Sequence, residues 1–124
     1  MRSNPLPKSY YINSDTIQLS KNLLGKTLIS NINNDFTSGI IVEIEAYLGA
    51  NDRASHAYKN KFTLKTRPMY EEGGISYIYL CYGIHHLFNI VTNIKGIPHA
   101  ILIRAIEPIK GISIMLKRRK FNIL

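Results

Sequence analysis

A chain of 124 residues suffices for one small domain and not for two, and its 45% hydrophobic content supplies a core, which sets wholesale disorder aside. A lone cysteine, Cys81, excludes an internal disulfide, and no apolar run approaches the roughly 18 residues a membrane span requires. The formal charge of +8, from 16 basic and 8 acidic residues, favours a polyanionic partner, because each phosphate neutralised releases counterions.

The excess charge concentrates at Lys59, Lys61, Lys65 and Arg67, and again at Lys117, Arg118, Arg119 and Lys120. The second group could equally be the solvated end of a helix. The first residues lack the apolar stretch of a signal peptide, so the expected address is the cytoplasm.

Ser14 or Asp15 can cap a helix over about residues 15–24, which Gly25 can end. Ile17, Leu19, Leu23 and Leu24 fall near one of its faces, predicting a helix packed on a sheet. Residues 26–32 read as a strand, 33–35 (Asn-Asn-Asp) as a turn, and 37–47 as a long returning strand. Alternation along that strand assigns Ile40, Val42, Ile44 and Ala46 to the core. Ile41, Glu43, Glu45 and Tyr47 then share the other face, which would ordinarily be a solvent-facing surface. Residues 48–74 lack a sustained period and read as loop, a length that is often functional.

Residues 76–82 and 84–92 are rich in aromatic and β-branched side chains, with Gly83 marking a tight hairpin between them. A further strand spans 99–106, closed by Pro108. Residues 109–120 begin a helix that Gly111 weakens. The architecture expected is α+β: a curved antiparallel sheet built from hairpins, with helices packed on it.

Tyr77, Tyr79 and Tyr82 crowd into six residues beside the Gly83 bend. An aromatic tip, with Tyr82 and Ile84 at the turn, suits insertion between stacked bases; the alternative is that these tyrosines fill a sheet interface. Glu43 or Glu45 could act as a general base beside the phenol of Tyr47, and spacing does not choose between them. No metal is expected. His85 and His86 are adjacent and face opposite ways in a strand, His56 and His99 are isolated, and Cys81 has no partner at zinc spacing.

Taken together, IVEIEAYLGANDRASHA (41–57), GGISYIYLCYGIHHLFNIVTN (73–93), ILIRAIEP (101–108) and LLGKTL (23–28) resemble the alkyladenine (3-methyladenine) DNA glycosylase family. The resemblance runs in order from about residue 15 to residue 112. It implies a base-excision repair enzyme that flips an alkylated or deaminated purine, such as 3-methyladenine or hypoxanthine, out of duplex DNA and hydrolyses its glycosidic bond. It places the catalytic pair on Glu45 and Arg104, with Glu45 as general base and Arg104 holding the attacking water and the target phosphate. The base-binding residues fall on Tyr47, His56 and Tyr79, the purine-screening asparagine on Asn89, and the wedge of a protruding hairpin on Tyr82 with Ile84 beside it. The reaction implied is monofunctional, with no cofactor, metal or Schiff-base lysine. The implied partner is double-stranded DNA carrying a damaged purine, met by a monomer in a bacterial cytoplasm at the nucleoid, with no membrane. The stretch TLKTRP (63–68) is a modest departure. Family members continue well past the position of Leu124, so the expectation is a single, C-terminally incomplete domain over residues 1–124. Its alternative is a catalytically inactive remnant that at most binds DNA.

Overall fold

A computed structural model describes residues 4–12, 15–81, 83 and 85–120 of the chain. Tyr82 and Ile84, the wedge expected from the resemblance, lie outside the described residues. A short helix α1 (Lys8–Tyr11), which the sequence did not announce, precedes α2 (Thr16–Leu23). The strands β1 (Thr27–Ile32), β2 (Asp35–Leu48), β3 (Ser76–Cys81), β4 (His85–Thr92) and β5 (His99–Lys110) follow, and α3 (Ile112–Arg118) comes last. All five strands join one antiparallel sheet in the order β1-β2-β5-β4-β3. The α+β expectation is met, and the sheet curls into a half-barrel.

Asp15 caps α2 by accepting from the backbone N–H of Gln18 at 3.0 Å, an interaction worth about 1 kcal/mol. The buried face of α2 is Thr16, Leu19, Ser20 and Leu23. This corrects the expected face, because Ile17 and Leu24 are 43% and 44% exposed. The i, i+3, i+4, i+7 spacing holds; two small polar residues occupy it where two large apolar ones were expected. Thr16 is accommodated because its Oγ1 shares hydrogen bonds with Thr92 Oγ1 at 3.1 Å and with His99 Nδ1 at 2.9 Å. Beneath the helix lie Leu19, Leu23, Ile41, Ile101 and Ile103, with Ile44, Phe88 and Ile90 packed against them.

The opposite face of the sheet is covered by the 48–74 segment, which forms three 3-10 turns (Gly49–Asn51, Tyr58–Asn60, Arg67–Tyr70). Ala57 and Met69 of that segment are buried against Tyr77, Val91 and Ala100. Fully burying a side chain such as Met69 contributes about 1.5–3 kcal/mol, which makes this loop a second wall of the core.

Two bulges bend the middle of the sheet. Ile41 pairs with Ile106, Glu43 with Ala105 and Ile44 with Ile103, so Val42 is an extra residue on β2 and Arg104 an extra residue on β5. This overturns the simple alternation: Ile41 and Ile44 share the core under α2, while Val42 is 47% exposed. Pro108 does not close β5. It pairs with Gly39 beside a further register shift, where a missing N–H is tolerated, and the strand continues to Lys110. Nor does Gly111 weaken the last helix. It is the N-cap of α3 with φ +78°, and a Cβ there would collide with the carbonyl of Phe36.

Candidate active site

Residues opposite one another on neighbouring strands point to the same side of a sheet. The register aligns Glu45 with Leu102, Leu102 with Asn89, and Asn89 with Tyr77. One row across four strands therefore carries a carboxylate, an amide and a phenol on the face away from α2. Tyr47 and Tyr79, two residues along their strands, stand on the same face.

At one end of the row, Glu45 is held at both oxygens. The Tyr47 hydroxyl donates to Oε2, and Arg104 Nη1 donates to Oε1 at 3.0 Å. The bulge explains the second contact: as the extra residue of β5, Arg104 leaves the ladder alternation and reaches diagonally to Glu45. The two side chains are 42% and 52% exposed, so water reaches the carboxylate. Burial, the hydrogen bond to Glu45 and the carboxylate charge push the Tyr47 phenol up to about 12, so it remains a donor at neutral pH. Glu43 is exposed beside the bulge and takes no part in this cluster.

At the other end, His56 and Tyr79 stack with ring centroids 4.0 Å apart and planes inclined by 32°. His56 Nδ1 lies 3.1 Å from the Tyr77 hydroxyl. The ring is exposed on one side; desolvation of its packed side, with the nearby Lys61 ammonium, lowers the His56 pKa, so the ring is neutral. Asn89 is buried, and its Nδ2 donates to the carbonyls of Tyr77 and Leu87 at 3.1 and 3.3 Å. Both N–H groups are thereby committed, leaving its carbonyl oxygen as what it can offer a ligand. A cavity of about 440 Å³ opens here, lined by His56, Tyr77 and Tyr79 and by Lys61 and Lys65 of the basic loop. That loop is braced internally: Thr66 Oγ1 donates to the Lys61 carbonyl at 3.1 Å, and the Tyr70 hydroxyl to the same carbonyl at 2.8 Å.

The structure thus brings Glu45, Tyr47 and Arg104 together, pairs His56 with Tyr79, and sets Asn89 in the row between the two groups. The sequence reading did not give Tyr77 a part in the site. Its period-2 spacing with Tyr79 was the available signal.

Residues 10–123 match the family model described as methylpurine-DNA glycosylase (MPG). The chain belongs to the methylpurine-DNA glycosylase family. Among similar chains, one from Chlamydia felis (strain Fe/C-56), named "Putative 3-methyladenine DNA glycosylase", is 53% identical over 117 residues, covering 94% of this chain and 60% of that relative. A relative of the same name from Clostridium acetobutylicum is 47% identical over 109 residues, covering 88% of this chain and 53% of its own length. One from Alkaliphilus oremlandii is 45% identical over 114 residues, 92% of this chain and 56% of the relative. The chain spans between half and two thirds of the length of these relatives. No helix among the described residues is long and apolar enough to cross a membrane, and no group of three His, Cys, Asp or Glu residues is placed to hold a metal ion.

Proposed function

We propose that the row from Glu45 to Tyr77, with His56 of the 48–74 loop against its far end, is the base-excising site of a purine-directed, monofunctional DNA glycosylase, acting as a monomer on duplex DNA. The observation that carries this reading is the Glu45 carboxylate, water-accessible and aimed by two donors, on one sheet face with a neutral aromatic pair. A damaged purine, such as 3-methyladenine or hypoxanthine, is flipped from the helix to lie between Tyr47 and the His56–Tyr79 pair. Base–aromatic stacking of this kind is worth about 1–3 kcal/mol per base. Tyr82, with Ile84 beside it, fills the gap left in the stack. Glu45 takes a proton from water, the water oxygen bonds to C1′, and the C1′–N bond breaks with its electron pair going to the departing base. A cationic alkylpurine leaves as a neutral base. Arg104 holds Glu45 and the water in line and faces the phosphate of the flipped nucleotide. Asn89 screens the purine edge by its substituents.

The test is a duplex carrying one hypoxanthine, incubated with the purified chain and probed for an alkali-labile abasic site. Strand scission at the lesion alone is expected. The exposure of Glu45 favours a second reading, in which the chain binds DNA but excises slowly because bulk water competes for the site. Steeply salt-dependent duplex binding without scission would select that reading. Affinity unchanged from low to physiological salt would remove DNA from both.

A further inference from the structure

Tyr77 touches His56, which lines the cavity, and Asn89, its neighbour in the row. Its hydroxyl meets His56 Nδ1, and its backbone carbonyl accepts from Asn89 Nδ2. It is 4% exposed, packed with Ala57, Met69, Val91 and Ala100, so it has little freedom to move. Among the described residues, His56 Nδ1 is the only hydrogen-bond partner of the Tyr77 hydroxyl. A buried phenolic proton must be directed at an acceptor, and an unprotonated imidazole nitrogen is a better acceptor than a phenol oxygen. The hydroxyl therefore donates to Nδ1, and the ring proton of neutral His56 resides on Nε2.

We infer that Tyr77 is a positioning residue that fixes His56 in the Nε2–H tautomer, so that the cavity presents an N–H donor to whatever base enters it. Tyr79, stacked on the same imidazole, fixes the ring plane, and Tyr77 fixes which nitrogen carries the proton. A purine atom placed against Nε2 must then be an acceptor, such as a carbonyl oxygen or an unprotonated ring nitrogen. An exocyclic amine there would face donor against donor, at the cost of an unpaired polar group.

This inference rests on the reading of the cavity as a base site, but its decisive test does not need catalysis. The nitrogen chemical shifts of the His56 ring are recorded in the ¹⁵N-labelled full chain at neutral pH, assigned by their loss in His56→Gln. The expected result is Nδ1 at the unprotonated position and Nε2 at the protonated one. In Tyr77→Phe both shifts should move toward a tautomer average. Nδ1 found protonated in the parent, or ring shifts unchanged in a folded Tyr77→Phe chain, would overturn the inference. Should Tyr77→Phe fail to fold, the parent's shifts decide alone. If the chain excises or binds lesions, Tyr77→Phe should also narrow the preference for hypoxanthine over adenine duplexes about two- to tenfold. If it does neither, the glycosylase reading fails while the ring shifts still decide the tautomer.

Discussion

The two ends of the site differ in what anchors them and in charge. Glu45 and Arg104 form an ion pair whose side chains are about half exposed, placed by two bulges in the sheet. Tyr77 and Asn89, buried beneath the 48–74 loop, carry the half-buried Tyr79 and the exposed ring of His56 as a neutral group joined by hydrogen bonds and ring contacts. A charged group that must accept a proton from water needs solvent access and accurate aim, and a bulge supplies aim without burial. A surface that must tell one flat base from another needs rigidity, which the buried Tyr77 and Asn89 supply from below. The chemistry and the recognition can therefore be lost separately.

The sharpest way to break this contrast lies at Arg104. An exposed ion pair contributes less than about 1 kcal/mol to folding, so Arg104→Ala should leave the melting temperature nearly unchanged. Misaiming the base should nevertheless lower single-turnover excision roughly ten- to a hundredfold. An equal fall in stability and rate, by thermal melting and base release, would show that the pair is structural.

Tyr82→Ser should weaken binding to a lesion duplex by roughly 1–3 kcal/mol, the value of one lost stack. Its effect on an undamaged duplex should be smaller. Titration of both duplexes with the variant checks this, and full-strength lesion binding would move the wedge elsewhere.

A smaller effect belongs to the buried side under α2. Burial lowers the pKa of His99, whose Nδ1 also meets Thr16 Oγ1 and, at 3.3 Å, Asn93 Nδ2. The unfolded chain then binds a proton near pH 6.5 that the folded chain refuses until lower pH. The stability due to neutral His99 is thus complete above 6.5 and is lost as pH falls through the interval down to the lowered value. Melting temperature against pH should drop across that window, and His99→Gln should flatten part of the drop. His56, also lowered, accounts for a remainder. An unchanged profile in His99→Gln would assign the whole drop to other groups.

Much of this arrangement was legible in the sequence where local period and tertiary demand agree. The β1–β2 hairpin, the β3–β4 pair and the shared face of Glu45 and Tyr47 follow from period-2 alternation. What alternation could not show is a change of parity. Nothing local in IVEIE marks Val42 as extra, because the bulge is set by pairing with β5, sixty residues away in round terms. For the same reason Arg104 reads as an ordinary outward residue until its partner strand is present. Thr16 and Ser20 were missed on the buried face of α2 because Thr16 is made burial-compatible by Thr92 and His99, which are remote in sequence. Residues 48–74 showed no period because their buried groups, Ala57 and Met69, plug a face formed by other strands. Assigning the base to Glu45 and not to Glu43 came from the family resemblance; the side-chain contacts then set Glu45 between Tyr47 and Arg104.

The most direct test of the separation between chemistry and recognition is a single preparation series of the parent, Glu45→Gln and Glu43→Gln, assayed for single-turnover base release and for lesion-duplex affinity. Glutamine keeps the shape of Glu45 and much of its hydrogen bonding but cannot take a proton from water. The account predicts that Glu45→Gln loses base release by about 10²-fold or more while its affinity stays within a few-fold of the parent, and that Glu43→Gln changes neither substantially. Equal losses of rate in both variants, or a Glu45→Gln chain that releases base at the parent's rate, would contradict it.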